Sequence, residues 1–416
     1  MKKKRSRIPS AIFAIGAAQL LINISSVMIF SLSAVYLKSI LGVGTGWIGF
    51  LEGAVEASAH ATKLFSGMIS DYLRRRKAIM VVGFALVTIT RPLLAVSESF
   101  LAVFMARFFD RFGNGIQSTP RDALVADIAP ADIKGACFGL RQTLGTAGSF
   151  AGGIIGILAM MWTMNNFHHV FWIATIPAFA ALIILVLAIK EPKPVPLPDG
   201  EKDDDVTHPK RHPIRLDDLK RLGKNYWFLM IVVGVFMLAR PTEAFMSLHA
   251  HQTFHLSDTY IPVILLIYNM TYSLSSYPIG RLADRMDRYQ LLQVGFLTLV
   301  LADVVLAFAP TIWVLFLGVG IWGIQMGISQ SVFLALVDQT VPEDLRGTAF
   351  GFFYLISAIA LIVAGTVAGN VAQHFGSVGT SFFVSSGVGM CALCVLLIVS
   401  KVSRSKEKAK GREGAE

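Results

Sequence analysis

Twelve stretches of mostly apolar residues run through the chain, at 10–37, 46–70, 77–96, 98–118, 136–161, 167–189, 225–249, 259–280, 289–309, 311–334, 346–370 and 379–400. About 20 such residues make a helix long enough to cross the hydrocarbon core of a bilayer. Within lipid every backbone polar group must be satisfied internally, so runs of this length are helices. Composition agrees. Of 416 residues, 54% are hydrophobic and only 15% are charged, whereas soluble domains carry about 25%. A chain this apolar would expose extensive greasy surface in water. The first stretch, behind the basic segment MKKKRSR, exceeds the about 7–15 residues of a signal-peptide core and reads as a retained span.

The formal net charge is +10, and its placement decides its meaning. The basic residues cluster at Lys2–Arg7, Arg74–Lys77, the central segment and Lys401–Arg412, in short blocks between apolar runs. That is the positive-inside pattern of a membrane protein, not a nucleic-acid face. With a cytoplasmic N-terminus, the cytoplasmic loops hold Arg74, Arg75, Arg76, Lys77, Arg121, Lys134, Arg281, Arg285, Arg288 and Arg346. The opposite loops hold almost nothing basic, Lys38 and Arg91 excepted. Both termini are therefore expected in the cytoplasm, and the chain in a multi-pass cell (inner) membrane. Residues 190–224 are charged and Pro-rich and read as a cytoplasmic linker. They separate six spans in 1–189 from six in 225–400, with a charged cytoplasmic tail at 401–416. Cys391 and Cys394 share a helix face, but no second pair completes a zinc site. Neither metal nor cofactor is expected.

An internal repeat orders the spans. Gly67-Met-Ile-Ser-Asp71 closes the second span, and Gly280-Arg-Leu-Ala-Asp284 closes the eighth, 213 residues later. Pro130-Ala-Asp132-Ile-Lys134-Gly135 leads into the fifth span and Pro342-Glu-Asp344-Leu-Arg346-Gly347 into the eleventh, 212 residues later. Two unrelated motifs share one offset, so the halves are parallel repeats about an axis along the membrane normal. The expected fold is an all-α membrane protein with twelve transmembrane helices in two pseudo-symmetric six-helix halves.

At these residues the chain resembles the major facilitator superfamily along nearly its whole length. Gly67, Asp71, Arg75 and Arg76 match that family's loop between spans two and three, with Arg74 where a glycine is usual; Gly280, Asp284 and Arg288 match its repeat. The resemblance implies a gating role for these residues, and a basic cluster that only sets topology is the alternative. Residues 106–127, ARFFDRFGNGIQSTPRDALVAD, resemble the fourth-span signature of a group of bacterial permeases in the same superfamily. In the fifth span, Gly148, Gly152 and Gly153 resemble the exchangers' motif, but Ser149 stands where those carry proline, which weighs against a drug exporter. The glycines also suit close helix packing. The resemblance implies a monomeric transporter.

Charge within a span is expensive, so it faces the interior and usually serves function. Glu52, Glu56, His60 and Lys63 fall on one face of the second span. Arg107, Asp110, Arg111 and Asn114 share a face of the fourth, where Asp110 can pair with either arginine. Arg240, Glu243, Ser247 and His251 share a face of the seventh, which Pro241 is expected to kink. Gln19 and Asn23 of span one, Tyr268, Asn269 and Tyr272 of span eight, and Gln325 of span ten are further candidates for the cavity, as is Tyr36.

Buried carboxylates beside a histidine suit proton exchange; a fixed ion-pair ladder is the competing reading. The sequence thus points to a secondary active transporter that moves a small polar or charged solute by alternating access, with protons as coupling ion and membrane lipid as surroundings. A proton-driven exporter, an uptake system for a metal chelate or siderophore, and a membrane sensor remain alternatives. No G-x-x-x-x-G-K-[ST] is present for a nucleotide-driven pump. No serine or cysteine is evidently placed with His60 and Glu56 for an enzyme, and no nucleic-acid partner is expected.

Overall fold

The computed structural model describes residues 7–73, 75–189, 221–283, 286–342 and 345–413. The linker therefore lies almost wholly outside the described residues. The first half contains α1 (Ser10–Ser39), α2 (Thr45–Leu73), α3 (Arg76–Ala95), α4 (Phe100–Ile128), α5 (Lys134–Trp162) and α6 (Phe167–Ala188). The second contains α7 (Gly223–Leu238), α8 (Ala244–Phe254), α9 (Pro262–Ala283), α10 (Arg288–Ala307), α11 (Ile312–Thr340), α12 (Arg346–Phe375) and α13 (Val378–Glu413). Two short 3-10 turns, Ala131–Ile133 and Asp258–Tyr260, complete the order, and no strand occurs among the described residues.

Local chemistry sets the ends. Ser99 caps α4 by accepting from Ala102 N at 3.3 Å. Asn166 caps α6 by accepting from His169 N at 3.1 Å. Asp287 accepts from Tyr289 N at 2.7 Å and from Gln290 N at 3.3 Å to start α10. Such caps satisfy amides that have no partner within the helix. Gly376 ends α12 at φ +68°, a left-handed stop natural for glycine.

Among the described residues, eight helices are long and apolar enough to cross a membrane: α1, α3, α5, α6, α10, α11, α12 and α13. Of the other spans, α2, α4 and α9 are diluted by polar residues, whereas the seventh is divided into helices of 16 and 11 residues, α7 being apolar but short. These are also the spans that carry most of the candidate charges.

The seventh span differs from expectation. It is not one kinked helix but two, α7 and α8, interrupted at 239–243. Pro241 has no N–H and disfavours the helical conformation at Arg240. Ala239 N turns back to Val235 O and Phe236 O, and α8 restarts with Phe245 N on Thr242 O at 3.1 Å. Arg240 and Glu243 therefore project from a break rather than from a helix face.

Packing repeats between the halves. In the first, α1 lies against α5 and α6, α2 against α4, and α3 against α4 and α6. In the second, α7 lies against α12 and α13, α9 against α11, and α10 against α11 and α13. The halves meet mainly along α2–α12 and α5–α9, pairs that exchange under the same two-fold.

At the end where α2 begins and α12 finishes, this junction is tight. Gly49 and Gly365 face each other backbone to backbone. A Cβ on Gly53 would lie 2.5 Å from Leu361 O, and one on Gly369 would lie 2.6 Å from Thr45 O. Gly46 N also donates to Gln373 Oε1 at 2.9 Å. Further along α2 the space between the same helices is filled by rings, with His60 and Tyr354 6.0 Å apart. The seam thus closes one end of the molecule and opens towards the end where α1 starts.

Candidate functional site

Between the halves lies a cavity of about 430 Å³, within the about 300–1,000 Å³ usual for small-molecule sites. Both halves line it. Glu52, Glu56, His60 and Lys63 come from α2, Arg111 and Asn114 from α4, and Asn23 from α1. Arg240, Glu243 and Ser247 come from the broken span, and Tyr268 and Asn269 from α9. The spacing of the α2 stripe, one residue per turn, aims all four of its side chains at this space.

The charges form interhelical pairs. Arg107 grips Glu52 through two hydrogen bonds, Nη1 to Oε1 at 2.8 Å and Nη2 to Oε2 at 2.9 Å. It also donates to Ser33 Oγ, and both members of the pair are almost sealed from solvent, at 1% and 4% exposure. Arg111 Nε lies 3.1 Å from Glu56 Oε1. The two guanidinium groups stand 4.5 and 3.5 Å from the centre of one ring, Phe30, a favourable cation–π arrangement. Arg240 is held loosely, 3.9 Å from Glu243 and 5.2 Å from the Trp322 ring. His60 Nδ1 lies 3.0 Å from the Glu56 carbonyl. A carbonyl only accepts, so this nitrogen carries the hydrogen.

Two sequence expectations are corrected here. Arg91 is not a loop residue: it lies inside α3, 1% exposed, with Nη2 2.9 Å from Asp110 Oδ1 and 2.8 Å from Ser26 Oγ. Asp110 therefore pairs with neither arginine of its own helix. The stagger of α4 points Arg107 and Arg111 at α2, and Asp110 at α3.

Not every candidate reaches the cavity. Arg107 and Asp110 stand behind it. Gln19 links Asn23 (2.7 Å) to Arg121 (2.5 Å). Tyr272 stacks on Tyr268 with centroids 6.2 Å apart, and Gln325 is buried, donating to Ser329 Oγ at 3.0 Å. Tyr36 belongs to an aromatic core with Phe167 and Phe171. His251 sits beside Asp258, at 3.2 Å, on the closed end of the molecule. Among the gating residues, Arg76 ties the start of α3 to Asp127 and to Ala123 O at the end of α4, Arg75 is exposed at that start, and Arg288 opens α10. Asp284 lies outside the described residues, as do the surroundings of Gly67, Asp71 and Gly280.

Sequence reasoning missed the large apolar lining: Phe30, Met237, Met326, Phe333 and Phe353. Nothing in the pattern distinguishes these from ordinary core residues. It also missed the network at the open end, where Arg121 and Arg141 share Asp122 Oδ1 at 3.1 and 3.0 Å. Side-chain exposure rises along this path, from 4% at Glu52 to 24% at Glu56 and 48% at Asp122, so water enters from that end. Among the described residues no cluster of three His, Cys, Asp or Glu is placed to hold a metal ion.

Twelve spans in two equivalent sets around one charged, half-open cavity define a polytopic membrane carrier. The family model of the Major Facilitator Superfamily matches residues 15–257 and 242–416, and the chain belongs to that family. It is 26% identical over 363 residues to an MFS-type transporter of Methanocaldococcus jannaschii, covering 86% of this chain and 87% of that one. It is 23% identical over 402 residues to the cis,cis-muconate transport protein of Acinetobacter baylyi, covering 92% of each. The solved nucleoside transporter NupG superposes with a TM-score of 0.73 at 14% identity, covering 94% of this chain and 100% of that one. The protein is a multi-pass membrane transporter rather than an enzyme, and its substrate is a small molecule.

Proposed function

We propose that the chain is a secondary active transporter that carries a small polar or charged solute by alternating access, coupled to protons. The observation that carries this reading is the cavity itself: shared by both halves, lined with ion pairs between helices, sealed at one end and wet from the other. Interrupted spans beside a midplane site are a recurring device of such carriers, and the α7–α8 break supplies one. Residues 1–189 and 225–400 are the two rocking units, joined by the linker at 190–224 and followed by the tail at 401–416. By charge placement the open end faces the cytoplasm of an inner membrane, with both termini there. The conformation described is then inward-facing, and the protein works as a monomer in lipid.

Glu56 is the proposed coupling carboxylate. Its partner Arg111 is partly solvated at 21% exposure, so proton binding can release the pair without opening the core. Glu52, sealed against Arg107, is locked. The gating assignment to Gly67, Asp71, Arg75, Arg76, Gly280, Asp284 and Arg288 rests on the family pattern at the open end.

Purified protein in proteoliposomes tests the coupling, using a substrate found by thermal-shift screening. Glu56→Gln is expected to abolish accumulation against a gradient while exchange across the membrane continues. Equal loss of both activities would remove the coupling role.

A further inference from the structure

The cavity holds one cation more than its carboxylates neutralise. Each carboxylate in and behind it has an arginine: Glu52 with Arg107, Glu56 with Arg111, Asp110 with Arg91, and Glu243 with Arg240. Lys63 lines the same space and has no ion pair among the described residues. The surplus appears only because Arg91 belongs to the interior, where it occupies Asp110.

Lys63 is a cavity residue rather than a helix-end residue. It lies four residues past the middle of α2, about 6 Å along the axis. Ionisable residues within spans are rare, face a cavity or the bundle interior and mark substrate or ion pathways, and Lys63 faces such a cavity. A second cation is also underused. Arg240 lies 3.9 Å from Glu243, beyond hydrogen-bond range, and projects from the broken span of the other half. Lys63, His60 and Arg240 line one cavity, the first two from α2 and the last from the other half. The same lining carries an apolar patch, with Met326 beside Phe333 and Phe353, whose ring centroids lie 6.4 Å apart.

Resting on the reading of this cavity as the transport site, we infer that its substrate is a small organic anion, with its acidic group held between Lys63 and Arg240 and its apolar body against the Phe333–Phe353 wall. The two cations come from opposite halves, so the bound anion draws the halves onto one ligand. A neutral or cationic solute would leave Lys63 unmatched and would add charge of the wrong sign beside Arg240.

The test is a thermal-shift and calorimetric comparison of matched probes on the purified full-length protein. Benzoate, benzenesulfonate and phenylphosphonate are set against benzamide and benzylamine, and hexanoate against hexanamide and hexylamine. Acids should stabilise the protein and the amides and amines should not. The preferred acid among the three benzene derivatives identifies carboxylate, sulfonate or phosphonate as the natural head group. Lys63→Gln should weaken acid binding about tenfold or more, the loss of one charge-assisted contact, and Lys63→Arg should restore most of it. The melting temperature of unliganded Lys63→Gln should be equal or higher, because an unmatched charge is removed; this separates a binding role from a structural one. Stabilisation by the amines or amides, acid binding unaffected by Lys63→Gln, or no response to any acid would each overturn the assignment. Flux separates this idea from the one it rests on. An acid that binds but is never accumulated by proteoliposomes keeps the anion site and removes the transport reading. Accumulation of the amide or amine does the reverse.

Discussion

Glu52 and Arg107 show what a buried pair on neighbouring helices does for a carrier. With exposures of 4% and 1% and two hydrogen bonds between them, neither group has water to fall back on. Removing one leaves the other charged and uncompensated. Arg107→Ala is therefore expected to cost about 3–5 kcal/mol, seen as a marked fall in melting temperature in detergent. The double variant Glu52→Leu/Arg107→Met should recover much of that loss, because no orphaned charge remains. A single variant as stable as the parent would mean that the pair is not structural. At this scale the sequence was half legible. Helical spacing placed Glu52, Glu56, His60 and Lys63 on one face, and all four line the cavity. Spacing says nothing about which helix lies opposite. It offered Asp110 its neighbours on α4, while the real partner, Arg91, lay in another span. A lone arginine near the end of an apolar run looks like a loop residue until the helix behind it is known.

Helices pack through their smallest residues, and two glycines of α5 separate packing from indifference. A Cβ on Gly148 would lie 2.7 Å from Leu20 Cα, in the backbone of α1, whereas one on Gly139 meets nothing within 4 Å. Gly148→Ala should therefore push α1 and α5 apart and lower the melting temperature. Gly139→Ala should be neutral or stabilising, by up to about 1 kcal/mol from the better helix propensity of alanine. Equal effects would contradict the packing assigned to α5. This feature was legible, since Gly148 and Gly152 stand four apart in an apolar run. The interruption between α7 and α8 was legible only as a kink. Pro241 announces a lost hydrogen bond, but whether the chain bends or breaks depends on what receives Arg240 and Glu243, and that is the cavity.

The whole molecule turns on which end is closed. The repeat offset foretold two equivalent halves and the charged helix faces foretold a cavity, yet neither states the conformation. The closed seam joins Gly46, Gly49 and Gly53 to Gly365 and Gly369, residues more than 300 positions apart, a pairing that only the assembled bundle displays. If the halves rock about the cavity, this seam must part once in every cycle. Gly46 N lies 2.9 Å from Gln373 Oε1, so cysteines at these two positions, in a chain freed of Cys137, Cys391 and Cys394, can be joined by a short reducible thiol reagent. Cross-linked protein should still bind its ligand from the open end, with the affinity of the uncrosslinked variant, but should carry nothing across the membrane. Reduction should restore transport. Binding lost together with transport would show that the cross-link distorts the cavity. Transport that persists with the link intact would show that α2 and α12 never separate there, and alternating access in this protein would then need a different moving part.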